Sequence, residues 1–184
     1  MKKSMLRFAV CLSMFVLACT VSGHAQALTS EDIKAQMVKD WERAKVYTIE
    51  YLNAMPADKY SFKATDSIRS FAQQMLHLAG GNFGLMSVGT GSKPPVTRRN
   101  LETSPGAQSK DSVMYFVTSS YDYCIAAVKA SDVNKWGEKT KFMQLEDTRY
   151  SIITKTFEHQ THHRGQTTIY IRLVGVKPPQ EKLF

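Results

Sequence analysis

Cysteine contributes almost nothing to this chain. Three occur in 184 residues, and Cys11 and Cys19 lie in an N-terminal stretch outside the folded domain, which leaves Cys124 alone. One thiol closes no intramolecular disulfide, so stability has to come from packing. Cys124 stands in the apolar stretch Tyr121 to Val128 and reads as a buried small hydrophobe, not a nucleophile. A membrane span is missing too: the apolar run Phe8 to Val21 is about 14 residues, short of the roughly 20 that a permanent helix needs. There is no phosphate-binding glycine loop, no nucleophile elbow and no pair of placed carboxylates. Those absences remove the common signatures of phosphoryl transfer, serine hydrolysis and carboxylate acid–base chemistry. No internal repeat or low-complexity tract is present.

What is there begins with a leader. Lys2, Lys3 and Arg7 precede the apolar run, and Ala25-Gln26-Ala27 supplies small residues where a signal peptidase cuts. Residues 1–27 therefore read as a signal peptide and 28–184 as one domain, secreted or periplasmic after cleavage. Val16-Leu17-Ala18-Cys19 loosely matches a lipobox, which leaves a lipoprotein anchored through Cys19 as the alternative. Losing three cations and no anions takes the formal charge from +8 to +5. This mild surplus is scattered, without interleaved aromatics, and reads as solvated surface and not as a nucleic-acid footprint.

Four amphipathic segments follow. The first helix is expected from about Ser30 to Asn53, capped by Thr29 or Ser30, with Ile33, Met37, Trp41, Val46, Ile49 and Leu52 as its apolar stripe. Thr65 or Asp66 is expected to open the second. From Ser70 to Ser92 there is no charged residue at all, the mark of a helix buried on more than one side or lining a cavity. His77 falls nearly opposite the apolar face of Ile68, Phe71, Met75, Leu78, Ala79 and Met86, among Ser70, Gly80, Gly81 and Gly84. Small residues there suggest a pocket wall; the plainer alternative is a surface histidine beside a glycine-weakened helix end. Ser87 to Ser109 is aperiodic, the length of a lid or crossover. A third helix spans about Lys110 to Ala130. An irregular connection, with an extended piece at Lys141 to Gln144, leads to a fourth helix capped by Asp147. Four helices and no convincing sheet predict an all-α four-helix bundle.

The fourth helix carries the chemistry. Ile152, Thr156, His159, His163, Gln166, Tyr170 and Leu173 recur at alternating spacings of four and three, the seam of a helix packed in a bundle. His159 and His163 thus occupy seam positions one turn apart, where two imidazoles can share a metal ion, while His162 points elsewhere. On its own that spacing fits hydrogen-bonded core histidines better. The surrounding residues decide: His159, His163, Arg164, Gly165 and Gln166, followed by Leu173-Val174-Gly175-Val176 and Pro178-Pro179, resemble the H-x-x-x-H-R-G-Q signature of the DinB/YfiT-like family of metalloenzymes. The resemblance covers nearly the whole chain after the leader.

It implies a DinB/YfiT-like four-helix bundle with His77 as third ligand beside His159 and His163. Three imidazoles suit zinc, nickel or iron, and three protein ligands with an open position are the catalytic arrangement. Characterised relatives include transferases that use low-molecular-weight thiols, so a thiol-dependent S-transferase acting on a small molecule is the leading expectation. An exported protein meets few cytosolic thiols, which keeps metal-dependent hydrolysis open. A non-catalytic, stress-related protein whose ion only ties two helices is the other alternative. The family often forms homodimers. His77 must reach helix four, so helices two and four are expected to be neighbours, with the Ser87 to Ser109 segment crossing the end of the bundle near the site.

Overall fold

The computed structural model describes residues 27–96 and 101–184; the signal-peptide and lipobox readings fall on 1–26, outside the described residues. Among the described residues four α-helices make up the bundle: α1 (Ser30–Ala54), α2 (Phe71–Thr90), α3 (Lys110–Ala130) and α4 (Arg149–Leu173). No described helix is long and apolar enough to cross a membrane.

The helix starts follow from side-chain capping. At α1, Thr29 Oγ1 accepts from the Asp32 N–H at 3.1 Å and the Asp32 carboxylate accepts the Thr29 N–H at 3.0 Å, a reciprocal box that satisfies two otherwise unpaired donors. Helix α2 starts at Phe71 and not at Thr65 or Asp66. Ser70 and Gln73 form the box there, and the carbonyls of Phe62 and Tyr60 take the N–H groups of Phe71 and Ala72 at 3.0 and 2.8 Å. The incoming chain is docked across the first turn, so the helix has no room to begin earlier. Helix α4 is capped by Thr148, whose hydroxyl accepts from Ser151 N at 3.1 Å. Asp147, the expected cap, instead takes the Thr148 N–H and the Ser151 hydroxyl. The extended piece expected near Lys141 is an antiparallel hairpin, β1 (Lys139–Phe142) and β2 (Leu145–Thr148), turning through Met143 at φ +56°.

Helix α2 packs on both α3 and α4, as its uncharged length requires, and α1 packs mainly on α3. Among the described helices α1 and α2 are not adjacent, nor are α3 and α4, so the bundle runs α1, α3, α2, α4 around its rim. Helices α2 and α4 are therefore neighbours, as expected. The crossing is not made by the Ser87 to Ser109 segment, however. Helix α2 continues through Thr90, and what remains joins adjacent helices; the diagonals are crossed by 55–70, anchored by buried Met55 and Tyr60, and by 131–148. Gly89 permits the close approach of α2 to α4, since a Cβ there would lie 2.7 Å from Ile153 Cγ1 and 3.3 Å from the Arg149 carbonyl.

Trp41 is fully buried, with edge contacts to Tyr121 and Phe157 at 5.7 and 5.2 Å between centroids. Val46 is exposed, and Ala44, Tyr47, Thr48 and Tyr51 fill the core face of α1 in its place. A buried polar chain ties three helices together: Thr48 and Tyr121 share a hydroxyl contact of 2.7 Å, and the Tyr121 hydroxyl donates to Gln160 Oε1 at 2.7 Å. Arg164 Nη1 reaches the same oxygen at 3.3 Å, with its guanidinium 4.5 Å over the Tyr47 ring. Cys124 is buried, and burial pushes its thiol pKa well up. Beyond α4 the chain turns at Gly175 (φ +80°), buries Pro178 and returns along α1, where Lys182 pairs with Glu50 and its carbonyl accepts from Arg43 at 2.6 Å.

Candidate metal centre

Antiparallel packing sets the register that builds the site. Gly89 lies beside Ile153, Gly81 beside His159, and Gln74 beside His163, while the Tyr170 hydroxyl donates to the Arg69 carbonyl at 2.8 Å. His77, one turn into α2 from Gln74, then meets both seam histidines. Ring centroids are 5.3 Å apart for His77 and His159, 4.5 Å for His77 and His163, and 4.4 Å for His159 and His163. One nitrogen from each ring lies within 4.8 Å of the other two. Small side-chain rotations bring such a trio onto one ion at the ~2.0–2.1 Å of a metal–imidazole bond.

The seam holds from Ile152 through His163 to Tyr170, but Gln166 and Leu173 are exposed. A second buried row, Ile153, Gln160, Arg164, Thr167 and Ile171, widens the face because α4 also meets the core beneath α1. Arg164 turns into that core, away from the imidazoles. His162 is exposed, outside the trio. The small residues of α2 divide their work. Gly80 lines a cavity beside His77, whereas the space left by Gly81 is taken by His159 itself: a Cβ there would lie 2.1 Å from its Cε1.

His163 is 8% exposed. Burial, reinforced by His159, His77, His162 and Arg69, pushes its imidazole down to about 3, so it is neutral at pH 7 with a lone pair to give. Its Nδ1 lies 2.8 Å from Gln74 Nε2; Gln74 contacts Gln166, and Gln166 Nε2 lies 2.9 Å from His162 Nε2. A carboxamide exchanges donor for acceptor by a half-turn, so this pair of glutamines can serve either tautomer of His163. Burial opposes the charge on Glu102, but hydrogen bonds from Arg69 Nε and His77 Nδ1, each at 2.7 Å, outweigh it and hold the carboxyl below its usual range.

Sequence reasoning missed Gln74 and Glu102. Glu102 had one signal: it is the only acidic residue between Asp66 and Asp111.

Cavities of about 300 Å³ beside His77, Gly80 and Glu102, and about 350 Å³ beside His159, Leu85 and Glu158, adjoin the trio. A groove of about 730 Å³ shares Arg69, Gln74, Glu102 and Gln166 with it.

The profile of the DinB family matches residues 25–183. No curated protein matches the chain. Among solved structures, a DinB-like protein from Bacillus cereus is similar with a TM-score of 0.69 at 16% identity, over 79% of this chain and 95% of its own. A DinB-like protein from Bacillus subtilis is similar with a TM-score of 0.62 at 15% identity, over 81% and 96%. At those identities the likeness speaks to the fold.

Proposed function

Because the chain belongs to the DinB family and brings three imidazoles from two helices together, we propose that it is a metal-dependent enzyme whose divalent ion, zinc, nickel or iron, is held by His77, His159 and His163. The observation that carries this reading is the convergence of the three ligand nitrogens within 4.8 Å, with space for a small molecule beside both His77 and His159. The donor set fits: the ligands are imidazoles, and His163 is held neutral and hydrogen-bonded on its outer nitrogen. An ion so held with an open position lowers the pKa of a water or thiol that it coordinates and supplies a nucleophile near neutral pH. The chain's own part is to bind and orient. The two glutamines steady His163, Gly81 admits His159, and the cavities admit the substrate. Transfer of a group to a low-molecular-weight thiol is the reaction proposed first, with hydrolysis as the other arm of the assay.

Elemental analysis of protein purified without nickel resin tests the reading. One equivalent of metal is expected, lost in His159→Ala and His163→Ala and retained in His162→Ala. Loss in the His162 variant, or no metal in the wild type, refutes it. The leader places the protein outside the cytoplasm in this reading, with a mature chain starting at Leu28. Full-length cytoplasmic protein, or lipid on Cys19, would refute that part.

A further inference from the structure

We propose that Glu102 is the positioning residue of the histidine centre: by accepting the Nδ1–H of His77, it fixes that ring in one tautomer and one orientation, with Nε2 offered to the ion. This rests on the metal reading above and adds to it a residue from outside the helices. Glu102 Oε2 lies 2.7 Å from His77 Nδ1, and its Oε1 lies 2.7 Å from Arg69 Nε. An ionised carboxylate only accepts, so both nitrogens donate. His77 is then left with its lone pair at Nε2 alone. Arg69 clamps the second oxygen, and the carboxylate cannot turn from the ring without breaking a charge-assisted bond. The backbone is held as well. The Glu102 carbonyl accepts from Gln108 Nε2 at 3.0 Å, and Leu101 beside it is buried. Helix α2 has no acidic residue of its own to do this, since its whole length is uncharged. The acceptor comes instead from the connection that follows.

Imidazoles that bind metal commonly carry such an outer partner, and removing it costs roughly 10–100-fold in affinity. The test titrates zinc into the full mature chain against a chromophoric chelator, for wild type, Glu102→Met and Glu102→Gln. Ring ¹⁵N shifts of His77 are read in the metal-free proteins, together with their unfolding midpoints. Methionine fills similar space without an acceptor, while glutamine still accepts through Oε1. The expected result is an Nδ1–H tautomer in the wild type, a mixture in Glu102→Met with zinc affinity down about 10–100-fold, and substantial rescue in Glu102→Gln. Equal zinc affinity in wild type and Glu102→Met overturns the inference while leaving the metal reading intact. Should Glu102→Met fail to fold, the wild-type shifts decide alone, and an Nε2–H tautomer there overturns it. A wild type that takes up none of zinc, nickel or iron refutes both.

Discussion

Replacing Gly81 by Ala should separate metal uptake from stability. A Cβ at this position would sit 2.1 Å from Cε1, 2.5 Å from Nδ1 and 3.0 Å from Nε2 of His159, so the ring has to move. It has somewhere to go: the cavity of about 350 Å³ that it lines with Leu85, Lys155, Glu158 and His162. Two terms then compete in the folded protein. Alanine is favoured over glycine inside a helix by about 0.8–1.0 kcal/mol, and overpacking costs about 1–3 kcal/mol where neighbours cannot yield. Because this neighbour yields, the metal-free protein should change by no more than about 1 kcal/mol in either direction. Metal affinity should fall much further, by more than the roughly 100-fold upper end for loss of an outer partner, since a ligand itself is displaced. Gly165→Ala is the control. It is also helical, but exposed, and its added Cβ meets nothing within 4 Å. It should gain up to about 1 kcal/mol with uptake unchanged. Urea unfolding of metal-free protein and chelator competition read both quantities. Wild-type affinity in Gly81→Ala would refute the placement of His159.

Tyr121→Phe removes a hydroxyl that joins Thr48 and Gln160 in the core, and should cost about 1–3 kcal/mol in urea unfolding without altering metal uptake; a change under a few tenths would show that the chain of bonds contributes nothing. The folded pKa of His163 lies below its unfolded value of about 6.5, so the unfolded state binds more protons between about 6.5 and 3. Its contribution is therefore fully present above the unfolded pKa and is lost as pH falls through that window. Unfolding free energies of metal-free wild type and His163→Gln should converge toward acid, and parallel curves would contradict this. Cys124 should resist aromatic disulfide reagents in the native state and react on unfolding; rapid native labelling would show an access path that the packing excludes.

Helix existence was legible because it rests on periodicity, and the neighbouring of α2 and α4 because His77, the third ligand implied by the resemblance, has to reach His159 and His163. Ile152, Thr156, His159 and His163 declare a seam by spacing alone, and the uncharged length of α2 declares burial on two sides. Boundaries were less legible where a competing partner decides them. The start of α2 depends on the carbonyls of Tyr60 and Phe62, and no local pattern at Thr65 announces that. Arg164 and Gln166 belong to the signature, yet one enters the core and the other the surface, a difference set by the second packing row of α4. The role of Gly81 was misread as empty space because a sequence cannot say which side chain enters a gap. Glu102 was hidden in a stretch without periodicity, which folds against His77 only because Leu101 is buried and Arg69 waits there.

The return of the last residues along α1 has a consequence for the order in which the molecule can be completed. Polypeptides emerge N-terminus first, and domains generally fold as units. Here the main partner of α2, two of the three imidazoles and the strap formed by Pro178, Lys182 and the Arg43 contact all lie in the final part of the chain. Until that part is available, α2 lacks its principal neighbour and the trio is one histidine. The bundle therefore cannot close, nor the three histidines meet, before α4 is available to α2. Convergence of the three imidazoles is thereby a late step of folding, coupled to the docking of α4 on α2.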